Sequence, residues 1–532
     1  MTHGAQATFT DGSSPAPGKP SAPARRGPVS ATLVLGTAVG ALNSTVVSTA
    51  IPLIVADFGG FSALTWLFSG YLLTTTATLP VYGKLSDNLG RRPVLIAGIV
   101  LFLTGSLLCA GAGDMTSLIA FRMVQGLGIA AVEGTVQTII ADQYSLEDRP
   151  RIQARLSTVW SVCAICGPLL GGFLATCVGW RWIFLVNAPV AVTALWLVTR
   201  HLPDPARTGP AVPGVRRRSA RDTDWGGALA VFACGAALLT FLVQGGVTWP
   251  WLSFPSLALL GACLLFAVAL VVIEHRADDP VMPGWVWRRR VIVVVNVALG
   301  LVGLLISVPV VFLPMYGQSV LGLGPVAAGL GVSAMLLAWS FSAHLAHHVH
   351  SRIGLRRTAL IGIGAASLTL LALGMLSSPD RVWCPTLAML LLGGALGLVH
   401  LPLVMGAQSS VAPFERGTTT ASLLFCRKAG QCLGAAVFGA LANNALRTRL
   451  DQAPDSITTG VPSELDSVTK ALRDPASLSP QSVHYLHQAI DGAVDQVYLG
   501  ASIAAALGFL VVLCAAPRRF PAEIPADESR HA

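Results

Sequence analysis

Between two long apolar runs stands GKLSDNLGRRP, residues 83–93. A stretch this polar, set between segments this apolar, reads as a turn. Gly83 and Gly90 supply backbone freedom where two helices reverse direction. Asp87 is placed to accept from free N–H groups at a helix start or to pair with Arg91 or Arg92. Three cations packed between membrane helices mark this side as cytoplasmic. The spacing alone fits a solvated tight turn as well as a gating hinge.

Working outward, the whole chain reads as an all-α polytopic membrane protein. Of 532 residues, 53% are hydrophobic and only 11% charged, where a soluble domain carries about 25% charged residues. A bilayer span needs about 20 mostly apolar residues. Fourteen such runs begin near Ala31, Leu64, Val94, Leu118, Leu156, Ile183, Gly226, Phe254, Val291, Val326, Ala359, Pro385, Thr418 and Tyr498. With the N-terminus inside, cytoplasmic segments collect 28 of the 35 Lys and Arg. External segments hold six (Arg181, Arg381, Arg447, Arg449, Lys470, Arg473), and Arg122 lies in or near a helix. That bias predicts an even number of spans with both termini cytoplasmic. The net charge of +9 is therefore topological and does not imply a nucleic-acid partner.

The organisation follows from composition. Residues 1–28 form a Pro/Ser/Gly/Ala-rich disordered cytoplasmic tail, without the apolar core of a cleaved signal. Residues 29–200 carry six helices. A Pro- and Arg-rich cytoplasmic linker, 201–224, follows. An inserted two-helix hairpin occupies 225–275, and six more helices occupy 276–516, with a long polar external loop at 444–496. Residues 517–532 are a second cytoplasmic tail. The stretch 344–357, HLAHHVHSRIGLRR, echoes the first hinge through Arg352, Gly354, Arg356 and Arg357, without the acid. His344, His347 and His348 share one face there; basic residues at a helix end explain them as readily as a metal does.

Polar residues inside the apolar runs are the candidate site. Helix 1 carries Asn43, whose amide needs several partners. Helix 4 carries Arg122, Glu133 and Gln137 within about 60° of one another, on one stripe. Arg122 and Glu133 are roughly 16 Å apart along the axis, too far for an ion pair. A carboxylate deep in a membrane helix costs several kcal/mol unless protonated, paired or hydrated. A structural acid held by a neighbouring helix and an acid that handles ions or substrate both meet that requirement. His400 lies in helix 12, as a packing residue or a proton carrier. In helix 5, Cys163, Gly167, Gly171 and Ala175 recur every fourth position as a small-residue ridge, and Pro168 removes a backbone donor. Cys163-x-x-Cys166 falls inside that helix and reads as packing rather than as a redox or metal motif. Gly430 and Gly434 form another close-contact face in helix 13.

These features together resemble the fourteen-helix drug:proton antiporter branch of the major facilitator superfamily, over essentially residues 30–516. The hinge residues Gly83, Asp87, Gly90, Arg91 and Arg92 match its signature loop. Arg122, Gln125 and Gly126 match its helix 4 motif, and Gly167, Pro168, Gly171 and Gly172 its antiporter motif. WRWIFLVNAP, 180–189, matches the stretch entering helix 6. The resemblance implies two six-helix bundles (6+2+6 with the hairpin) around a midplane cavity lined by helices 1, 4, 9 and 12, working by alternating access. It would bring Asn43, Arg122, Glu133, Gln137 and His400 to one cavity. It also implies a proton antiporter exporting amphipathic small molecules across the plasma (inner) membrane as a monomer, with protons and the lipid bilayer as partners and no cofactor or metal.

One departure matters. The family usually has an aspartate, tied to proton coupling, where Asn43 stands, and an amide carries no proton at physiological pH. Either Glu133, with His400 as a second titrating group, takes over that role, or coupling is altered or absent. A facilitator or dedicated exporter of one metabolite, lipid or amino acid remains open, as does a receptor or scaffold with this fold. An enzyme is disfavoured: no HExxH, GxSxG or Walker loop appears.

Overall fold

The computed structural model describes residues 26–59, 64–144, 149–202, 225–245, 249–276, 284–375, 383–411, 415–453 and 479–517. Among them run fourteen long helices, all packed in one bundle. The first half is α1 (Arg26–Phe58), α2 (Leu64–Leu89), α3 (Arg91–Ala110), α4 (Met115–Gln143), α5 (Arg149–Cys177) and α6 (Asn187–His201). A pair follows, α7 (Trp225–Gln244) and α8 (Phe254–Arg276). The second half is α9 (Arg290–Ser319), α10 (Pro325–Ile353), α11 (Leu355–Met375), α12 (Trp383–Ser409), α13 (Arg416–Asp451) and α14 (Pro480–Ala515).

Among the described residues, eleven helices are long and apolar enough to cross a membrane. The others of the fourteen are α2, α7 and α13. Polar residues lower α2 and α13: the Thr74–Thr76 run in one, and Arg427 and Lys428 in the other. The core is continuous from α1 to α14. By contrast, α8 packs chiefly on α7 and presents Leu257, Leu264, Leu265 and Val268 outward. In turn α7 rests on α2 and α13, with Gly235 against Leu73.

Glycines set the closest crossings. A methyl on Gly430 would lie 1.8 Å from the Gly300 carbonyl oxygen, and one on Gly434 2.6 Å from that of Leu304. The small-residue face read at Gly430 and Gly434 therefore seats α13 on α9. Gly126 likewise seats α4 on α2, where a methyl on it would lie 2.6 Å from the Tyr71 carbonyl oxygen.

The structure revises two boundaries. The turn within 83–93 is a single residue: α2 runs unbroken to Leu89, and Gly90 alone reverses the chain at φ 98°, ψ 153°. Only glycine takes that conformation readily. Both described ends of the polar segment 444–496 are helical, since α13 continues to Asp451 and α14 begins at Pro480, and residues 454–478 lie outside the described residues. Local polarity marked it as loop, but helices that project beyond an apolar layer stay hydrogen-bonded whatever faces solvent. The tails expected at 1–28 and 517–532 and the linker at 201–224 lie almost wholly outside the described residues.

Candidate functional site

The turn at Gly90 has a counterpart in the second half. Gly354 links α10 to α11 at φ 87°, ψ 156°, and its N–H donates to the His350 carbonyl, as that of Gly90 does to Ser86. The arginines behind the two glycines have matching tasks. Arg92 donates to the Thr199 carbonyl near the end of α6, and Arg356 to the Leu513 carbonyl near the end of α14. Each acceptor lies two residues before the last of its helix, where free carbonyls and the dipole favour a cation. Arg290 adds bonds to Cys514 and Ala515. The echo in the sequence is thus a repeated clamp on the last helix of each half. Arg91 donates to Ser86 Oγ. Gly83 falls within α2 rather than at the turn, and the side chain of Asp87 lies outside what the structure describes.

At the opposite end the WRWIF stretch ties helix ends together. Trp180 Nε1 donates to Asp57 at 3.1 Å, and Arg181 sits 3.7 Å from the same carboxylate. Arg181 also donates to the Ala112 carbonyl. The two halves meet toward this end. Gly172 on α5 abuts the backbone of Val326 on α10, and Cys432 on α13 approaches the Ser69 carbonyl on α2. Gly167 instead faces α1, where a methyl would lie 2.1 Å from Thr45 Oγ1. Pro168 and Gly171 are buried beside them.

The polar residues inside the bundle divide into two groups. In the first, Arg122 is 1% exposed and donates to Gln125 Oε1 at 2.5 Å and to Asn43 Oδ1 at 3.4 Å. Asn187 donates to the same Asn43 oxygen, and Gln125 to Ser106 at 2.7 Å. The guanidinium also lies 4.3 Å over the Tyr71 ring. Arg122 thus stands among neutral partners, and its Nε and Asn43 Nδ2 are buried without hydrogen bonds. The resemblance implies that Asn43 and Arg122 share a cavity with Glu133, Gln137 and His400; here both are buried within the first half. They are sealed inside the first half, because α2, α3 and α6 close over them.

The second group spans the halves. Lys428 Nζ on α13 lies 2.6 Å from Glu133 Oε2 on α4, with 13% and 23% of the respective side chains exposed. Glu133 lies ten residues from the Gln143 end of α4, and Lys428 twelve from the Arg416 end of α13. At 1.5 Å per residue both sit roughly 15–18 Å deep. The other Glu133 oxygen faces α1 at Gly40. Arg427 lies within electrostatic reach of both Glu133 and His400, and its Nε is buried without a partner. The His400 ring lies 5.7 Å from that of Trp339, tilted by 51°. Gln137 is half-buried one turn beyond Glu133.

So the structure joins Glu133 to His400 through α13, and leaves Asn43 and Arg122 on the other side of Tyr71. Arg427 and Lys428 escaped the sequence reading because they were counted with the cytoplasmic cations. The available signal was their place, nine and ten residues inside the apolar run that begins near Thr418. No metal set of three His, Cys, Asp or Glu occurs among the described residues; the side chain of His347, on α10, lies outside what the structure describes.

Comparison with known proteins agrees with this architecture. The sequence model of the Major Facilitator Superfamily matches residues 33–435. Multidrug resistance protein 3 of Bacillus subtilis is 29% identical over 79% of this chain and 80% of its own length. An uncharacterized MFS-type transporter of Mycobacterium tuberculosis is 31% identical over 92% of this chain and 69% of its own. Among solved structures, an inward-facing bacterial homolog of the human lysosomal transporter Spinster superposes with a TM-score of 0.66 at 14% identity, covering 94% of this chain and all of that one. The repeated glycine turns, the two packed halves and these matches together make the chain a member of the Major Facilitator Superfamily, a multi-pass membrane transporter of small molecules and not an enzyme.

Proposed function

We propose that this transporter exports amphipathic small molecules, exchanging each for a proton by alternating access. The observation that carries the reading is the Glu133–Lys428 pair, an acid and a base 2.6 Å apart on opposite halves. Halves that rock against each other must part these groups. A proton on Glu133 releases the pair on one leg; substrate that engages the pair releases it on the other. The empty, paired form stays put, and exchange follows. His400 is a second titratable group beside Arg427. One proton moving down about 120 mV supplies roughly 3 kcal/mol, enough for about a hundred-fold gradient of a neutral solute.

Names among the relatives support efflux: a multidrug resistance protein and a multidrug transporter of Bacillus subtilis, and efflux pumps of Fusarium and Gibberella. In this reading all fourteen long helices span the plasma (inner) membrane of a monomer, and the Gly90 end and both termini are cytoplasmic. Residues 29–200 and 276–516 are the moving bundles, 225–275 the inserted hairpin and 201–224 the linker. Gly90, Arg91 and Arg92, with Gly83 and Asp87, form the inner gate; of the motif Gly167, Pro168, Gly171 and Gly172, Gly172 meets the second half at the outer gate and Gly167 seats α5 on α1. The facilitator reading draws on one observation, the neutral amide of Asn43 bonded to Arg122 where the family usually has an acid.

Reconstitution into liposomes separates the two. Uphill substrate movement that follows an imposed pH gradient supports proton exchange. Movement that only dissipates a substrate gradient, at any pH difference, leaves a facilitator.

A further inference from the structure

The charges at the interface of the halves are not balanced. The second half contributes two cations, Arg427 and Lys428, and the first half one acid, Glu133. A purely cationic substrate bound to Glu133 would sit against both cations. A purely anionic one, drawn to Lys428, would leave a carboxylate without its partner in a partly buried site, which is costly. One kind of molecule satisfies every group at once.

We propose that the substrate is an amphipathic zwitterion, whose anionic group is taken by Lys428 and Arg427 on α13 and whose ammonium is taken by Glu133 on α4. Such a ligand replaces one internal ion pair with two and leaves the net charge of the site unchanged. It also supplies an acceptor for the buried Nε–H of Arg427. Apolar and aromatic neighbours such as Trp339 suit the rest of an amphipathic scaffold.

This inference rests on the exporter reading and specifies its chemistry. Around Glu133 the described charged and titratable groups are Lys428 and Arg427 from α13 and Tyr71 from α2; α1 presents Gly40. A proton on the carboxyl removes the site for the ligand's ammonium, so proton and substrate compete. When the zwitterion binds from the cytoplasmic side, its ammonium pairs with the carboxylate and the proton of Glu133 leaves to that side. One proton enters for one zwitterion expelled. Because the zwitterion carries no net charge, each cycle moves one positive charge inward.

Three fluorescent probes on one scaffold test this in proteoliposomes under an imposed pH gradient. They are Nε-dansyl-lysine (zwitterion), dansylcadaverine (cation) and N-dansyl-6-aminohexanoic acid (anion). Wild-type protein should export the zwitterion about tenfold or more efficiently than either single-charge probe, the value of one charge-assisted bond. Measured as downhill movement without a pH gradient, Glu133→Gln should erase the advantage over the anion, and Lys428→Gln with Arg427→Gln the advantage over the cation. The swapped variant Glu133→Lys with Lys428→Glu keeps a pair across the halves and should still prefer the zwitterion, which guards against misfolding as the explanation. Cation or anion moved by wild type as well as the zwitterion, with the same pH dependence, overturns this inference and leaves the exporter standing. If no probe moves under any pH gradient, both fall.

Discussion

Glu133 on α4 and Lys428 on α13 face each other at 2.6 Å across the two halves, each the other's counter-ion in a partly buried site. Removing one partner leaves the other charge orphaned. Glu133→Gln or Lys428→Gln should therefore each lower the melting temperature in detergent, by a stability loss of about 3 kcal/mol or less given the remaining exposure. The double substitution should cost much less than the two singles together. Strict additivity would show that the pair contributes nothing to the fold.

The same substitution separates structure from coupling. Glu133→Gln should abolish uphill, pH-driven export and preserve downhill movement, which needs no net proton transfer. Transport that still concentrates substrate at the wild-type rate would make Glu133 structural only.

Asn43 accepts from a buried guanidinium that has only neutral partners. Asn43→Asp should supply the missing counter-ion and stabilise the first half by about 1–3 kcal/mol, read as a higher melting temperature. A fall in that temperature would mean that the carboxylate cannot reach Arg122 without breaking the bond from Asn187.

Gly167 and Gly172 are five residues apart and should fail differently. Gly172→Val pushes on the Val326 backbone, a contact between halves, and should favour opening at that end, seen as greater thiol-probe access to introduced cysteines there. Gly167→Val pushes on Thr45 within the first half and should lower stability by about 1–3 kcal/mol instead. Identical phenotypes would refute this division of labour.

The paired clamps give a symmetric test. Arg92→Ala and Arg356→Ala each remove a cation from the carbonyl end of the last helix in their half. Faster backbone hydrogen exchange is expected near Thr199 in the first variant and near Leu513 in the second. No change at either helix end would assign these arginines to solvent.

The helical class, the membrane setting and the turn at Gly90 were legible in the residues, because each depends on local pattern. Apolar runs of bilayer length admit little but helices, and the glycine of GKLSDNLGRRP marks its turn wherever the chain goes next. Even the weak echo at Gly354 proved to carry the same backbone conformation as Gly90. The site was a different matter. Helical periodicity placed Arg122, Glu133 and Gln137 on one stripe, but a stripe does not say which neighbour covers it. Packing buried Arg122 with Asn43, Gln125 and Asn187 inside one half and turned Glu133 toward Lys428 in the other. Hydropathy and charge counting treat Arg427 and Lys428 as a break in an apolar run. Only when α13 crosses α9 at Gly300 and Gly430 and comes to rest against α2 do those cations face an acid on α4. Local sequence sets which segments become helices; which charges meet is set by how those helices cross, through contacts between residues hundreds of positions apart.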